Sequence, residues 1–411
     1  MYYVSTILLI FIILLIQYIR NRLLTSASLW VVFYFCFFGL SPILLNTQDN
    51  LAEQYAWWGL FSFFLGYMYI LCVYTHKHIS LQHYKPMKIG KTLIDTLVVL
   101  SLIMLVGYIG TEGVNSVLHG NLSSKMLMME SAGIFKISYF FLLYTLGYAL
   151  VLCFVSQNAK FTLRQYFYFC IFAIQVILFS FTRAPLFLCV GMILVYKLRN
   201  FTKLHQIKYM LIIGILAVFM MNIMMWIRVF GLTEGIQYFT WERFISESTN
   251  NLDFAIGYEA FLDLIHRPVD VTVLIYFKPL FAAIPRSFWV TKPMRGTIEI
   301  LWQLNSLAVM NGYSTGYTNL GVPFAVFGKA GIFLAPFTWG IVTSFLDENY
   351  IQKKNLCKDN DFYTVLYIFF MVTTVLQSFR EGSDVALFNF VFVFIILFII
   401  SHWKLSFKFK T

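Results

Sequence analysis

The feature that most constrains the fold of this chain is a succession of apolar segments, each about as long as a membrane-spanning helix. A helix needs about 20 apolar residues to cross the hydrocarbon core of a bilayer. We therefore predict an all-α polytopic membrane protein with about 11 transmembrane helices. The eleven candidate spans are 3–19, 27–45, 55–75, 92–111, 134–155, 165–181, 184–198, 209–227, 320–345, 362–379 and 385–402. The sixth and seventh are short and meet at Arg183-Ala184-Pro185, so they form either a tight hairpin or one broken helix.

The composition excludes two broad classes of protein. Hydrophobic residues make up 60% of the chain and charged residues 12%, against about 25% charged residues in soluble domains. A soluble enzyme of this size could not bury so much apolar surface, and a disordered chain would not contain it. The net charge of +11 does not indicate nucleic acid, because the basic residues are scattered between the apolar segments.

Basic residues in the short loops predict the orientation of the spans. Lysine and arginine are enriched in cytoplasmic loops. If the spans simply alternate, the most basic loops all lie on one side, which places the N-terminus outside and the C-terminus in the cytoplasm. These loops contain Arg20, Arg22, Lys77, Lys85, Lys88, Lys91, Lys160, Arg164, Lys197, Arg199, Lys203, Lys208, Lys353, Lys354, Lys358, Lys404, Lys408 and Lys410.

We expect a single transmembrane domain over 1–411, in which 228–319, between spans 8 and 9, forms the large extracytoplasmic loop. Within this loop, 251–265 has the apolar spacing of an amphipathic helix, and Glu259 and Asp263 share one of its faces. The apolar run 272–284 contains Pro279 and is too short to span, so it is expected to be re-entrant or interfacial.

Arginine is concentrated on the predicted outer side, where the positive-inside rule does not explain it. A guanidinium group keeps its charge and binds phosphate through two parallel hydrogen bonds. We therefore expect an amphiphilic anionic ligand, such as a lipid with a phosphate or pyrophosphate head. The outer arginines are Arg183, Arg228, Arg243, Arg267, Arg286, Arg295 and Arg380, and Lys292 lies close to them in the sequence. The alternative is that each side chain extends to lipid headgroups.

Several of these residues have a purely structural alternative. Arg286 is the strongest candidate ligand for pyrophosphate, but it could instead pair with Asp270 or Glu299. Glu381 and Asp384 could pair with Arg380. Glu259, followed by Asp263, is the candidate catalytic base, and the alternative is a solvated helix face.

No metal or cofactor is predicted. His76, His78 and His83 are close in sequence, but they lie on the inner side without carboxylates nearby. The cysteines form neither a CxxC pair nor a disulfide framework.

Four short sequence elements resemble those of a known family. The run Ile284-Pro285-Arg286-Ser287-Phe288-Trp289-Val290-Thr291-Lys292-Pro293 is similar to the IPRxxWPxKP element of bacterial O-antigen and capsule repeat-unit polymerases (the Wzy type), although Val290-Thr291 stand where the family often has a proline. The run 180–186 resembles the SRxPLL-like junction of that family. The run 316–331, with the apolar span that follows it, resembles the entry of the family's late transmembrane helix, and 380–382 resembles its last outer turn.

The resemblance implies a metal-independent membrane glycosyltransferase with a GT-C-like fold in the bacterial plasma (inner) membrane. Such an enzyme transfers the growing glycan from undecaprenyl diphosphate to the terminal sugar of a new lipid-linked repeat unit, in O-antigen (lipopolysaccharide) or capsule biosynthesis. Implied partners are the undecaprenyl-diphosphate-linked oligosaccharide, the bilayer, and a chain-length regulator and flippase of the same pathway. Arg286, Arg183, Arg228, Arg380, Lys292 and Arg295 would bind the pyrophosphate.

Three other functions are compatible with the sequence. A flippase or transporter would move the same lipid-linked glycan, but such carriers usually have ionisable groups near the bilayer midplane and internal repeats. An O-antigen ligase would share the donor chemistry and use a different acceptor. A third possibility is an inactive structural partner of the assembly machinery.

Overall fold

The structure is a computed structural model of the 411-residue chain. It describes residues 2–20, 22–73, 91–119, 133–157, 160–179, 184–237, 239–244, 252–277, 281, 288–289, 292–310, 316–356 and 362–402, with only the backbone in parts of some helices. Throughout these ranges the regular structure is helical and contains no strand.

The described residues of the N-terminal half of the chain form nine α-helices, two of them continued by π-helical turns. They are α1 (Tyr2–Ile19), α2 (Ser26–Tyr34) followed by a π-helix (Phe35–Leu40) and α3 (Ser41–Leu44), α4 (Asn50–Val73), α5 (Lys91–His119), α6 (Gly133–Ser156), α7 (Leu163–Ile174) with a π-helix (Gln175–Phe179), α8 (Ala184–Leu198) and α9 (Lys203–Gln237).

The C-terminal half begins with short helices and ends with long ones. They are α10 (Asp253–His266), a 3-10 helix (Val273–Phe277), α11 (Gly296–Leu304), α12 (Ser306–Met310), α13 (Thr318–Phe327), α14 (Lys329–Leu356), α15 (Phe362–Phe369) with a π-helix (Phe370–Thr374) and α16 (Val375–Arg380), and α17 (Ser383–His402).

Five helical segments in the described part of the chain are long and apolar enough to cross a membrane. They are Tyr2–Ile19, Ser26–Leu44, Asn50–Val73, Ser138–Val155 and Lys329–Ile351, and shorter apolar helices cover Thr92–Tyr108, Leu163–Ile177, Leu188–Leu198, Thr318–Phe327 and Ser383–Ile395. The chain is thus a helical protein with the character of a polytopic membrane protein. The count of 11 spans and their orientation stay predictions.

The predicted span 320–345 is divided in the structure. Helix α13 ends at Gly328, whose φ of 59° is the left-handed conformation that favours glycine, and α14 begins at Lys329. Gly331 lies so close to Pro323 that a Cβ atom on it would be 2.0 Å from the Pro323 carbonyl oxygen. Hydropathy alone could not reveal this turn, because the sequence on both sides of it is apolar.

The contacts divide the chain into two compact units. The first contains Met1–His83, Asn250–Asp359 and Leu366–Ile395, and the second contains Tyr84–Thr249, Asn360–Val365 and Ile396–Thr411. The expectation of one transmembrane domain stays a prediction.

In the first unit, α4 and α14 cross at a contact between small residues. A Cβ atom on Gly66 would be 2.2 Å from the Phe337 carbonyl oxygen, and one on Gly340 would be equally close to the Phe63 carbonyl oxygen. Small residues allow two apolar helices to approach this closely within a membrane. Beside this crossing, the ring of Phe63 stacks on that of Trp30, with centroids 3.8 Å apart.

A carboxylate of α14 caps the start of α2. The first N–H groups of a helix have no partner within the helix, and here Asp347, which is buried, accepts hydrogen bonds from the N–H groups of Ser26 and Ala27 and from the Tyr367 hydroxyl. Next to it, Arg22 binds both carboxylate oxygens of Glu348. The loop after α1 and the C-terminal part of α14 therefore lie at the same end of the first unit.

The second unit contains its own local polar contacts. Thr162 and Gln165 form a capping box at the start of α7. One turn later, the Tyr168 hydroxyl donates to Asp95 at 2.7 Å, and Arg164 pairs with the same carboxylate at 2.7 Å. The Asp95 region of α5 and the start of α7 therefore lie at one end of this unit.

Candidate functional site

Helix α13 is the element against which several helices with candidate site residues pack in the first unit. It packs against α10, α11, α14 and α16, and every residue from Thr318 to Ala325 is buried. Three of these neighbouring helices contain or directly follow residues that the sequence singles out. Glu259 and Asp263 lie on α10, Arg295 is the N-cap of α11, and Arg380 is the last residue of α16.

The segment before α13 is fixed against the end of α16. A Cβ atom on Gly316 would be 1.9 Å from the Arg380 carbonyl oxygen, so only glycine permits this approach. Two residues later, Thr318 has a φ of 58°, which is unusual for a β-branched residue. The chain therefore enters α13 through a tight, strained turn that is in direct contact with the backbone of Arg380.

The start of α11 is anchored on the first turn of α17. The Gly296 N–H donates to Oδ2 of the buried Asp384 at 2.9 Å. The neighbouring Arg295 lies 3.9 Å from the Glu381 carboxylate, and both side chains are partly exposed. The sequence offered pairing with Arg380 as an alternative role for Glu381 and Asp384. In the structure these carboxylates join the predicted outer loop to this turn, because they contact Arg295 and Gly296.

Helix α10 presents its two carboxylates in different surroundings. Asp263 accepts hydrogen bonds from Arg267, including one from Nε at 2.7 Å, in the i,i+4 geometry of a helix-surface pair. Glu259 is exposed, and no hydrogen bond or ion pair joins its side chain to another described residue. The amphipathic helix predicted over 251–265 is thus observed, with Tyr258, Phe261 and Leu264 buried on its apolar face.

Tyr317 links α10 to the strained turn. Burial raises the pKa of the Tyr317 hydroxyl to about 12, with a further increase from the Asp263 carboxylate that the Arg267 guanidinium opposes. The three side chains are therefore electrostatic neighbours, one residue from Gly316. This places the Asp263 face of α10 close to the turn that contacts Arg380.

The C-terminal end of α10 is joined to the N-terminus of α4. His266 Nε2 lies 2.7 Å from Oδ2 of Asp49, and Oδ1 of the same carboxylate accepts the Ala52 N–H at 2.8 Å. Burial alone would raise the pKa of Asp49, but the hydrogen bonds from Ala52 and His266 outweigh it and lower the pKa below its ordinary value. The His266 side chain thus holds two helices together.

The structure brings together only part of the predicted site. Glu259, Asp263, Arg295 and Arg380 lie on or next to helices packed around α13, and Lys292 precedes Arg295 in the same segment, with its N–H donating to the Trp289 carbonyl. Arg228 lies within α9, which continues to Gln237, in the second unit, and its place after the end of span 8 stays a prediction. Arg183 and Arg286 lie outside the described residues, as does most of the motif 284–293.

The remaining outer arginines have local partners in the part of the chain that the structure describes. Arg243 lies over the ring of Trp226, 6.0 Å from its centroid, and Arg267 pairs with Asp263. For these two residues, the structure shows contacts with other side chains of the protein, and the headgroup alternative stays a prediction.

Three features of this site were not recognised in the sequence. They are the Gly316 contact with Arg380, the anchoring of Gly296 by Asp384, and the buried amide of Asn319 in the first turn of α13. The glycine spacing of Gly316 and Gly321 and the internal Pro323 were the available signal, because glycine and proline together mark unusual backbone geometry.

Among the described side chains, no group of three or more His, Cys, Asp or Glu residues is arranged to hold a metal ion. His76, His78 and His83 lie outside the described residues.

Comparisons of the chain with protein-family models, with curated proteins and with solved structures find no match.

Proposed function

We propose that this protein is a membrane glycosyltransferase that polymerises lipid-linked oligosaccharide repeat units at the outer face of the bacterial plasma membrane. The observation that carries the proposal is the packing of α13 against α10, α11 and α16. This packing joins the helix of two candidate bases, Glu259 and Asp263, to the two helices at the ends of which Arg295 and Arg380 lie. Candidate bases and candidate diphosphate ligands are the two groups that such a transfer requires.

The arginines supply the groups that a diphosphate leaving group needs. In the proposed reaction, the bond between the anomeric carbon of the growing glycan and the undecaprenyl diphosphate oxygen breaks, and the diphosphate leaves with the electron pair. Arg380, Arg295 and Lys292, with Arg286 and Arg183 from the resemblance, would neutralise the developing charge. Charge-assisted hydrogen bonds contribute about 1.5–3 kcal/mol each. Preorganised donors of this kind stabilise a transition state without a metal.

The acceptor half of the reaction needs a base. The terminal sugar hydroxyl of the new repeat unit forms the new bond to the anomeric carbon and loses its proton to a carboxylate. Glu259 is the better candidate, because its exposed side chain has no partner among the described residues, whereas Asp263 accepts hydrogen bonds from Arg267.

One observation favours the flippase as a second candidate. The buried Asp347 lies within the candidate span Lys329–Ile351, and ionisable groups inside spans often mark transport pathways. However, Asp347 accepts two backbone N–H groups at the start of α2 and the Tyr367 hydroxyl. This carboxylate is therefore occupied as a helix cap, and the polymerase remains the preferred proposal.

Deletion of the gene separates these candidates. A strain without the polymerase should display single repeat units on its surface product, whereas a strain without the flippase should accumulate lipid-linked units that face the cytoplasm. Loss of all surface glycan with cytoplasmic accumulation would overturn the proposal. If the wild type transfers full-length polymer and the deletion strain still makes polymer of undiminished length, the protein would be a ligase and not the polymerase.

Variants of the arginines test the site within the same strain. Arg286→Ala and Arg380→Ala, present in the membrane at wild-type levels, should yield mainly single repeat units. Arg286→Lys should also be impaired, because lysine cannot form the two parallel hydrogen bonds of a guanidinium group. Gly214→Ala serves as the control, because nothing lies within 4 Å of the added Cβ. Polymer of normal length from the arginine variants would exclude these residues from the site.

The predicted orientation has its own test. A reporter that is active only in the periplasm should be active when fused within 228–319 and silent when fused at 353–358. The reverse result would invert the orientation and move the proposed site to the cytoplasmic face.

A further inference from the structure

Asn319 is a buried amide whose polar atoms have no partner in the part of the chain that the structure describes. The residue is 0% exposed, and neither Nδ2 nor Oδ1 of its side chain has a hydrogen-bond partner. Leaving a buried donor or acceptor unsatisfied costs about 1–3 kcal/mol. Because such groups are rare in native proteins, each one calls for an explanation, such as a bound molecule or a catalytic role.

The backbone around Asn319 lacks one of its usual helical donors. Pro323 lies inside α13 and has no N–H, so it cannot donate the helical hydrogen bond to the Asn319 carbonyl oxygen. The preceding residue, Thr318, is held at a φ of 58°, and its Oγ1 accepts the Leu320 N–H at 3.3 Å. Strained backbone in a buried segment is typical of functional sites. The strain is an observation independent of the amide, and it concerns the same turn.

The position of Asn319 relates it to the proposed site. On one side of α13, Val322 packs against the Cα positions of Gly296 and Gly382, which flank Arg295 and Glu381. On another side, Leu320 packs against Gly59 of α4. Helical geometry places Asn319 on the face between Leu320 and Val322. Three residues earlier, Gly316 contacts the Arg380 carbonyl.

The chemistry of an amide selects the kind of group that would satisfy it. An amide offers donors on nitrogen and an acceptor on oxygen. A diphosphate only accepts hydrogen bonds at neutral pH, so it would satisfy one half of the amide and suits the arginines better. A sugar hydroxyl both donates and accepts, is neutral, and could satisfy both atoms.

We infer that the Asn319 amide binds hydroxyl groups of the sugar adjacent to the diphosphate of the lipid-linked glycan, and so acts as a residue that determines specificity for the sugar. This inference rests on the proposed function and extends it by naming a contact to the sugar. Arginine then recognises the carrier common to all substrates, and Asn319 recognises the glycan.

Binding measurements with two lipids test the inference. Purified wild-type protein and Asn319→Leu are titrated with undecaprenyl-diphosphate-linked repeat unit, extracted from a strain lacking the gene, and with undecaprenyl diphosphate alone. Asn319→Leu should bind the sugar-bearing lipid about tenfold more weakly, the effect of about 1.4 kcal/mol of lost hydrogen bonding. Its affinity for undecaprenyl diphosphate should be unchanged. Arg380→Ala should weaken the binding of both lipids.

A stability measurement distinguishes a binding role from a structural one. If the amide is unsatisfied without substrate, leucine, which has the same branching of side-chain heavy atoms and no polar group, should leave the melting temperature unchanged or raise it. Ser344→Ala is the matched control, since Ser344 is a second buried residue of this unit whose side chain has no described partner. It should leave the affinity for both lipids unchanged. If Asn319→Leu does not reach the membrane, Asn319→Ala is measured in its place.

Each other result overturns the inference in a recognisable way. If wild type and Asn319→Leu bind both lipids equally, while Arg380→Ala is impaired, the amide holds only a buried water and the proposed function stands. If the wild type binds neither lipid, the proposed function fails and the inference fails with it.

Discussion

The backbone of Gly316 lies against the carbonyl group of Arg380, so closely that a Cβ atom on Gly316 would be 1.9 Å from the Arg380 oxygen. The two residues are far apart in the sequence, at the start of the turn into α13 and at the end of α16. This contact sets the position of the Arg380 backbone relative to the buried first turn of α13. A change at Gly316 should therefore affect both folding and the proposed arginine site.

Gly316→Ala should destabilise the protein by about 3 kcal/mol, in the upper part of the range for overpacking a buried site. The obstructing atom belongs to the backbone, so a side-chain rotation cannot relieve the clash. Thermal unfolding in detergent, together with polymer length in the cell, measures the effect. Gly214→Ala is the control, because its Cβ would contact nothing within 4 Å and alanine is favoured in a helix by about 0.5–1 kcal/mol. Equal melting temperatures for the two variants would contradict the observed contact.

Two carboxylates in one turn should differ in their contributions to stability. Asp384 is buried and accepts the Gly296 N–H, so Asp384→Ala should cost about 1–3 kcal/mol. Glu381 is only partly buried and lies 3.9 Å from Arg295, so Glu381→Gln should cost less than about 1 kcal/mol. Chemical or thermal unfolding of both variants measures this difference. A larger loss from Glu381→Gln would mean that α11 is not anchored through Gly296.

The two carboxylates of α10 should differ in catalysis. If Glu259 is the base, Glu259→Gln should lower kcat about 10²-fold or more, in the range for general-base catalysis. Asp263→Asn removes an exposed i,i+4 pair with Arg267, which contributes little in water, and should change the rate little. The assay is polymer formation from lipid-linked repeat units in detergent. The opposite pattern would assign the base to Asp263.

The Asp49 and His266 contact predicts a dependence of stability on pH. The pKa of Asp49 is lower in the folded protein than its ordinary value, which is about 3.9. The folded state therefore favours the ionised carboxylate, whose stabilising effect is complete above the ordinary pKa and is lost as the pH falls through the lowered pKa.

His266→Ala removes one of the hydrogen bonds that lower this pKa, so acid unfolding should begin at a higher pH than in the wild type. The effect at neutral pH should stay below about 1 kcal/mol, because the pair is partly exposed. Asp49→Ala should cost more, about 0.5–2 kcal/mol, since it also removes the cap on the Ala52 N–H. Circular dichroism during acid titration measures both. Identical acid midpoints for wild type and His266→Ala would refute the prediction.

The sequence determined the features that depend on local pattern. Apolar segment length predicted the helical class and the positions of α1, α2 to α3, α4 and α6, because a span must satisfy its backbone within itself. Apolar spacing predicted the amphipathic helix containing Glu259 and Asp263, since periodicity is a property of consecutive residues. The arginines on the predicted outer side indicated an anionic ligand, because a guanidinium group keeps its charge and binds phosphate.

Only the tertiary structure decided which of these residues meet. Three features join segments through backbone atoms, and backbone atoms are the same in every residue. They are the turn at Gly328, the approach of Gly316 to Arg380 and the Gly296 hydrogen bond to Asp384. The isolation of the Asn319 amide likewise depends on what surrounds it after packing. Sequence pattern could identify the groups for the proposed chemistry, but the contacts that position them arise only once distant helices pack together.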